Sequence, residues 1–388
     1  MNRSYIAPHI ASLPKSGIRD FFELVNTMEG VISLGIGEPD FVTPWTIRES
    51  AIYSYEKGNT HYTSNLGTLS LRKAICGYLS DLYGIRYVPE KECIVTVGVS
   101  EALDLAVRAL VSPGDEVIYH EPCYVSYSPE VRMAHGVPVA VPTRVENSFA
   151  LDPADLEKAV TEKTKVLLLN FPCNPTGAVL NEEQSAKIAE IAVKHDLVVI
   201  SDQIYSELTY EGAPNSIASY PGMKERTLFL SGFSKGYAMT GFRVGYACGP
   251  AEIIDAMMKI HQYSIMCVSV NAQHAACEAL KNGRQDMEMM RREYLRRRNV
   301  IVKAFNDMGL PCLNPQGAFY AFPRIDFTGM SSLKFAKRLL LEKKVAVVPG
   351  TAFGECGEGF VRCSYATSME GITTAMEKIR DFLDSLKK

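Results

Sequence analysis

An α/β fold with a mostly parallel sheet is the architecture this sequence predicts, accompanied by a second, smaller α+β domain. Three observations carry that reading. The chain has 388 residues, more than one hydrophobic core usually organises, so two domains are expected. From about residue 91 to residue 250 short apolar runs alternate with helix-period segments, the pattern of strands covered on both faces by crossover helices. The last hundred residues lose that alternation.

Cys93-Ile94-Val95-Thr96-Val97 reads as the first strand of the sheet, and Glu101–Leu110 as the helix after it. Glu116–Tyr119, Lys165–Asn170 and Leu197–Ser201 are short runs rich in Val, Ile and Leu, as buried strands require. Between the last two, Glu182–His195 sets Ile188, Ile191, Ala192 and His195 on one helical face. Thr227–Leu230 and Phe242–Cys248 supply two further strands. Beyond them a long helix, roughly Asp286–Met308, leads into Gly317-Ala318-Phe319-Tyr320-Ala321-Phe322, a helix near Ser332–Glu342, and the strands Val345–Val348 and Phe360–Ser364. A closing helix repeats Ile372, Ala375, Met376, Ile379, Phe382, Leu383 and Leu386 at core spacing. The division expected is a large domain over residues 46–284 and a small one over 1–45 and 285–388.

Composition narrows the function classes. Forty-one basic residues against 44 acidic give a net charge of −3, without the basic excess a general nucleic-acid binder uses to neutralise phosphates. The one basic run, Arg291-Arg292-Glu293-Tyr294-Leu295-Arg296-Arg297-Arg298, reads as a solvated helix face. Met1-Asn2-Arg3-Ser4-Tyr5 lacks an apolar signal core, and no apolar stretch approaches membrane-spanning length. Ten cysteines are scattered with no Cys-x-x-Cys pair, and seven histidines show no ligand spacing. The expectation is free thiols in a reducing cytoplasm and no metal site.

Ligands of open α/β sheets bind beyond the carboxyl ends of the strands, and four chemically capable elements fall there. Gly98-Val99-Ser100 opens a helix, whose N–H groups and dipole favour an anion. Asn174-Pro175-Thr176-Gly177 is a turn after the Lys165–Asn170 strand. Asp202 ends a strand, with Tyr205 three residues on. Ser231-Gly232-Phe233-Ser234-Lys235 follows an apolar strand and precedes Gly241-Phe242-Arg243. Taken singly, each has a bland reading: a βα turn, a turn, a helix cap, a surface lysine. Together they meet the demands of pyridoxal phosphate: an amine for the Schiff base, an acid that keeps the pyridine nitrogen protonated, and cations with N–H groups for the phosphate.

The ordered motifs Gly37-Glu38-Pro39-Asp40, Tyr62-Thr63-x-x-x-Gly67, Asn174-Pro175-Thr176-Gly177, Ser234-Lys235 with Gly241-x-Arg243-x-Gly245, and Val361-Arg362-x-Ser364-Tyr365-Ala366 resemble the signature set of class I/II aminotransferases, the fold-type I pyridoxal-phosphate enzymes. The resemblance runs from about Ile32 to Lys388. It implies a large domain with a mostly parallel seven-stranded sheet between helices, plus the smaller α+β domain. By the same resemblance Lys235 carries the cofactor and shuttles the proton between the amino acid's α-carbon and the cofactor, suited by cations that lower its pKa. Asp202 pairs with the pyridinium nitrogen, Tyr205 and Asn174 contact the phenolic oxygen, and Tyr124 stacks on the ring. Val99 and Ser100 amides, Ser234 and Arg243 hold the phosphate, with Tyr62 arriving from a neighbouring subunit. Arg362 grips the substrate carboxylate, with Asn174, Tyr124 and the Gly37 backbone nearby. The implied assembly is a homodimer with shared active sites, working on an amino acid and a 2-oxo acid in ping-pong fashion.

Departures from the pattern bear on substrate. Aspartate-specific members often have lysine where this chain has Ser100 and tryptophan where it has Tyr124, which puts strict aspartate specificity in doubt; Gln203 replaces a common glutamate. Ser16-Gly17-Ile18-Arg19, Ser201-x-x-Ile204-Tyr205-Ser206-Glu207-Leu208-Thr209-Tyr210 and His261-Gln262-Tyr263 are similar both to N-acetyl-diaminopimelate and to aromatic aminotransferases. Residues 16–19 are expected near the substrate entrance. The general couple expected is glutamate with 2-oxoglutarate. An aspartate aminotransferase and a carbon–sulfur β-lyase of the same fold stand as alternatives. A cofactor-sensing regulator would need an N-terminal DNA-binding domain, for which the first thirty residues leave no space. A nicotinamide enzyme fits poorly, because Gly35-Ile36-Gly37 lacks the third glycine and following helix of the dinucleotide fingerprint.

Overall fold

Seven strands form the central sheet of the computed structural model, which describes residues 5–13, 25, 27–212 and 215–386. The strands of the chain are β1 (Ile32–Ser33), β2 (Cys93–Thr96), β3 (Glu116–Glu121), β4 (Val137–Pro142), β5 (Thr164–Asn170), β6 (Val198–Asp202), β7 (Thr227–Gly232), β8 (Gly245–Cys248), β9 (Tyr320–Ala321), β10 (Val345–Ala346), β11 (Val348–Pro349) and β12 (Val361–Ser364). The helices that matter below are α1 (Trp45–Glu56), α2 (Leu69–Tyr83), α3 (Gly98–Leu110), α4 (Tyr127–Met133), α5 (Glu182–Lys194), α6 (Ala251–Ser264), α7 (Val270–Asn282), α8 (Arg284–Asp307), α9 (Ser332–Lys343) and α10 (Met369–Leu386).

The central sheet runs β2-β8-β7-β6-β5-β3-β4. All neighbours are parallel except β8, which is antiparallel to both β2 and β7. Alternation of side chains sends Ile94, Val117, Val166, Leu168, Ile200, Leu228 and Ala247 to one face, against α3 and α6. The other face carries Val95, Phe229 and Tyr246 against α2 and α7, and Ile118, Leu167 and Val199 against α5. Burial on both faces is why these strands are continuous apolar runs.

The apolar pattern of the sequence yields six of the seven strands. The seventh, β4, reads Val-Pro-Val-Ala-Val-Pro and is largely open to solvent. It pairs with β3 alone, at the sheet edge where proline is tolerated. Most expected strands differ from the observed ones by one or two residues, and two differ more. The stretch begun at Phe242 becomes a strand only at Gly245, because residues 240–242 form a tight 3-10 turn and Arg243 takes a left-handed φ of 52°. The expected strand Val345–Val348 is two strands, β10 parallel to β1 and β11 antiparallel to β12; the chain crosses between sheets at Val347.

Another core gathers α8, α9, α10 and the strands β9, β10 and β12, around Tyr294, Phe305, Phe319, Phe335, Leu339 and Phe382. The basic run within α8 is not a solvated face. Arg297 and Arg298 are buried. Arg297 pairs with Asp40 at 2.7 Å and Glu293 at 3.0 Å, and Arg298 with Glu211 and the Pro315 carbonyl, each at 3.0 Å. Arg291 donates to the Thr209 carbonyl at 3.0 Å. Arg291, Arg297 and Arg298 therefore clasp α8 to segments before, within and after the sheet, while Arg292 and Arg296 face solvent. Among the described residues, no helix is long and apolar enough to cross a membrane. Residues 16–19 lie outside those described.

Candidate active site

A cleft of about 540 Å³ opens at the carboxyl ends of β2, β3, β5, β6 and β7. Gly37, Val99, Ser100, Tyr124, Asn174, Asp202, Tyr205, Ser234, Lys235, Arg243 and Arg362 all line it. Of the residues the sequence singles out, Tyr62 alone stands elsewhere, 82% exposed on the surface.

At the floor, β6 delivers Asp202. Its Oδ2 accepts a hydrogen bond from the Tyr127 hydroxyl at 2.8 Å and its Oδ1 one from the Ile204 N–H at 3.1 Å. Its carbonyl accepts from the Asn170 amide at 3.0 Å. Burial pushes the carboxyl up from 3.8 to about 6, although the Tyr127 and Ile204 donors and the Lys235 charge oppose this. A carboxylate so held is poised for a cationic partner.

Lys235 follows β7. Its Nζ donates to the Gly37 carbonyl at 2.6 Å and lies 5.8 Å from the centre of the Phe319 ring. Its pKa is lowered from 10.5 to about 8, first by burial; Glu38 works the other way, and the Arg362 and Arg243 charges add smaller downward contributions. The cations act in the expected direction, and desolvation leads them. A lysine near pH 8 has an appreciable neutral fraction, which is what a nucleophile or proton acceptor needs.

On the β2 side, the cleft meets the start of α3. A Cβ at Gly98, whose φ is +72°, would lie 2.8 Å from Arg243 Nη2, so glycine permits the guanidinium to close over the helix terminus. Arg243 Nη1 donates to the Thr240 carbonyl at 2.9 Å. Glu101 Oε2 accepts from the Val97 N–H at 2.5 Å, and Glu101 Oε1 meets His261 Nδ1 at 2.7 Å. These contacts fix the helix start, where first-turn N–H groups lack intrahelical acceptors. The combination of helix terminus, Ser100, Ser234 and Arg243 suits a phosphate-like anion.

The opposite wall comes from the segment after β1 and from β9 and β12. Arg362, buried on β12, donates to the Gly35 carbonyl at 2.6 Å and to Asn174 Oδ1 at 3.0 Å. Its Nε is buried without a hydrogen-bond partner, and Tyr320 and Phe353 cover its faces at 4.5 and 4.8 Å. The Tyr205 hydroxyl meets the Tyr320 hydroxyl at 2.8 Å. A Cβ at Gly37 would lie 2.6 Å from that same Tyr320 hydroxyl, so the close approach of the two segments requires glycine. Tyr124 stands edge-on to Tyr127, 5.7 Å between ring centres.

Three contributors have no site role in the sequence reading. Tyr127 anchors Asp202, Tyr320 anchors Tyr205 and covers Arg362, and Glu38 faces Lys235 electrostatically. Gln203 points away from the cleft: its amide donates to Ser201 Oγ at 2.9 Å, and its Oε1 is buried without a partner.

Comparison with known proteins bears on the family and the fold. The family model for aminotransferase class I and II matches residues 29–379. The putative aminotransferase YugH of Bacillus subtilis is 54% identical over 380 residues, covering 98% of each chain. An aspartate aminotransferase of Pyrococcus abyssi is 47% identical, covering 96% of each, and a probable N-acetyl-LL-diaminopimelate aminotransferase of B. subtilis is 40% identical, covering 98% of this chain and 96% of that one. The crystal structure of an aromatic aminotransferase from Pyrococcus horikoshii superposes with a TM-score of 0.91 at 47% identity, covering 96% of this chain and all of the other. A fold with parallel strands ending in one polar cleft, and similarity along nearly the whole chain, lead to one conclusion: the chain belongs to the class I and II aminotransferases.

Proposed function

We propose that Lys235 holds pyridoxal phosphate and that the protein transfers amino groups between an L-amino acid and a 2-oxo acid. The observation that carries this reading is the convergence of a buried carboxyl, a lysine with a lowered pKa and a buried arginine in one cleft. The donor set fits the cofactor. Asp202 offers a desolvated acid to a ring nitrogen, the α3 terminus with Ser100, Ser234 and Arg243 offers an anion site, and Tyr124 offers a ring face. Asn174 and Tyr205 are the polar groups available to the phenolic oxygen. When bound, the cofactor supplies an electron-accepting ring that stabilises negative charge at the substrate α-carbon.

The chain's own residues do the rest. Arg362 presents a planar fork to the substrate carboxylate, with its unpartnered Nε as a ready donor. The Gly37 carbonyl holds the Lys235 amine at 2.6 Å, and once released Nζ takes the α-proton and returns it. Burial leaves about half of that amine uncharged near pH 8, the state in which it can accept a proton.

A second copy of the chain completes the site in this reading. Tyr62, 82% exposed and outside its own cleft, is the residue we assign to the phosphate of a neighbouring site. Trp45, Tyr53, Tyr55 and Tyr263 are also exposed, aromatic side chains of the kind dimer interfaces bury. Ten free cysteines suit a reducing cytoplasm.

For substrate, the cationic side chains lining the cleft are Lys235, Arg243 and Arg362, and Ser100 stands where aspartate-specific members often have a further lysine. Ile36, Leu103 and Tyr320 contribute apolar wall. We therefore infer a long or aromatic donor, an aromatic amino acid or N-acetyl-diaminopimelate, with glutamate and 2-oxoglutarate as the general couple. The test is a panel of amino acids offered singly to the purified enzyme, following loss of the visible cofactor band. Fast conversion by phenylalanine and tyrosine, or by N-acetyl-diaminopimelate, supports the assignment. Fast conversion by aspartate alone would overturn it, and release of pyruvate from a cysteine conjugate would reassign the reaction as a β-lyase.

A further inference from the structure

Cys76, Cys93 and Cys248 lie far apart along the chain, yet the fold brings their sulfurs within 4.8 Å of one another. All three are buried, with exposures of 5%, 0% and 0%. Cys93 begins β2 and Cys248 ends β8, directly opposed in the antiparallel pairing. The neighbouring pair, Gly249 and Glu92, carries the ladder bond at 3.1 Å, so Cys93 and Cys248 form the closer, non-bonded pair of the ladder. Cys76 comes down on them from α2.

Two other features of the surroundings point to a ligand. Arg72, four residues before Cys76 on the same helical face, is buried and fixed by the Gly67 carbonyl at 3.2 Å and the Pro89 carbonyl at 2.5 Å. The Tyr87 hydroxyl belongs to the same core, is buried without a hydrogen-bond partner, and lies within electrostatic reach of the three sulfurs. A fixed guanidinium and an orphaned phenol thus accompany three converging thiols in an otherwise apolar core.

We propose that Cys76, Cys93 and Cys248 bind one zinc(II) ion as a structural site tying α2 to the antiparallel edge of the central sheet. Zinc–sulfur bonds of about 2.3 Å set ligand sulfurs roughly 4 Å apart, so closure on the ion needs only small side-chain movement. Binding releases the thiol protons to solvent and leaves three thiolates against a divalent ion. The remaining negative charge is offset by Arg72, which favours zinc(II) over copper(I). Tyr87 is the polar group available to the fourth position. The ion would hold the ends of β2 and β8 that lie farthest from the cleft, while the other ends lead into Gly98–Ser100 and Arg243.

The test uses the reduced holoenzyme titrated with zinc(II), and with cadmium(II) as a spectroscopic probe. The expected result is one ion per chain, a sulfur-to-cadmium charge-transfer band, a cadmium resonance in the thiolate region, and a higher melting temperature with zinc. Cys76→Ser should abolish the band, and Cys267→Ser, outside the cluster, should keep it. If Cys76→Ser does not fold, the cadmium resonance of the unaltered protein decides alone. A resonance characteristic of oxygen or nitrogen ligands overturns the proposal, as does binding no greater than that of Cys76→Ser. A Cys93–Cys248 disulfide in unreduced peptide maps would make the cluster a redox pair instead. Retention of copper(I) but not zinc(II) against a competing chelator would overturn the choice of ion.

Discussion

The sheet wall of the cleft and the wall built by β1, β9 and β12 hold their polar groups by different means. On the sheet wall, Asp202 is fixed by Tyr127 from α4, by Ile204 two residues on and through Asn170 of β5. The cations rest instead on backbone carbonyls of the other wall, Arg362 on Gly35 and Lys235 on Gly37, each at 2.6 Å, with Asn174 Oδ1 a second acceptor for Arg362 at 3.0 Å. Those carbonyls are acceptors an arriving carboxylate can replace. Such bonds to charged groups are worth about 1.5–3 kcal/mol each, enough to position the groups and small enough to exchange. The difference teaches a division of labour. In the proposed function the sheet sets the electrostatic floor, and the facing wall's carbonyls hold the cations until substrate comes.

That division can be broken experimentally, and the largest effect belongs to the lysine that bridges both walls. Lys235→Ala should lower transamination by about 10⁴-fold or more, because attachment and proton transfer are lost together. Single-turnover rates with any good amino acid measure it, and residual activity within tenfold of the parent would refute the role. On the sheet wall, Asp202→Asn should lower kcat by roughly 10²–10³-fold for every amino acid alike, the scale of a lost buried electrostatic partner.

The same substitution has the opposite effect on stability without cofactor. The folded carboxyl keeps its proton up to about pH 6, whereas an unfolded one loses it near 3.8. Its contribution is therefore full below 3.8 and is lost as pH rises through 6, a cost of about 3 kcal/mol above that range. Cofactor-free Asp202→Asn should accordingly be the more stable protein at pH 8, with the gap closing below pH 4, as urea melts at the two pH values would record.

On the facing wall, Arg362→Lys should reduce kcat/KM by about 10–100-fold, chiefly through KM, since a lysine cannot present the fork. A loss confined to kcat would contradict the holding role. Smallest is Tyr127→Phe, about tenfold in kcat/KM. Because the Tyr127 donor lowers the Asp202 pKa, its removal should shift the acid limb of the cofactor-free stability profile upward. An unmoved limb would leave Tyr127 as packing only.

The two walls also differ in how far they can be read from sequence. Asp202 and Lys235 follow apolar runs, so a reactive side chain at a strand end announces itself. Tyr127 belongs to a seven-residue helix in a stretch without usable periodicity, and its partner is 75 residues away. Tyr320 reads as one more core aromatic until its hydroxyl is seen against Tyr205 and its ring over Arg362. The clustered thiols escape for the same reason: residues 76, 93 and 248 meet only through the pairing of β2 with β8 and the descent of α2. Strand β4 was hidden by its prolines, which suit an edge and resemble a loop. Local chemistry at the end of a pattern is legible; contacts made by topology are not.

The central claim is that Lys235 holds the cofactor over Asp202. Borohydride reduction of the purified protein, followed by peptide mapping, tests it most directly. A single pyridoxyl adduct on Lys235, with loss of the visible band, is the result expected. An adduct on any other lysine, or no adduct on a protein that is active, would contradict it.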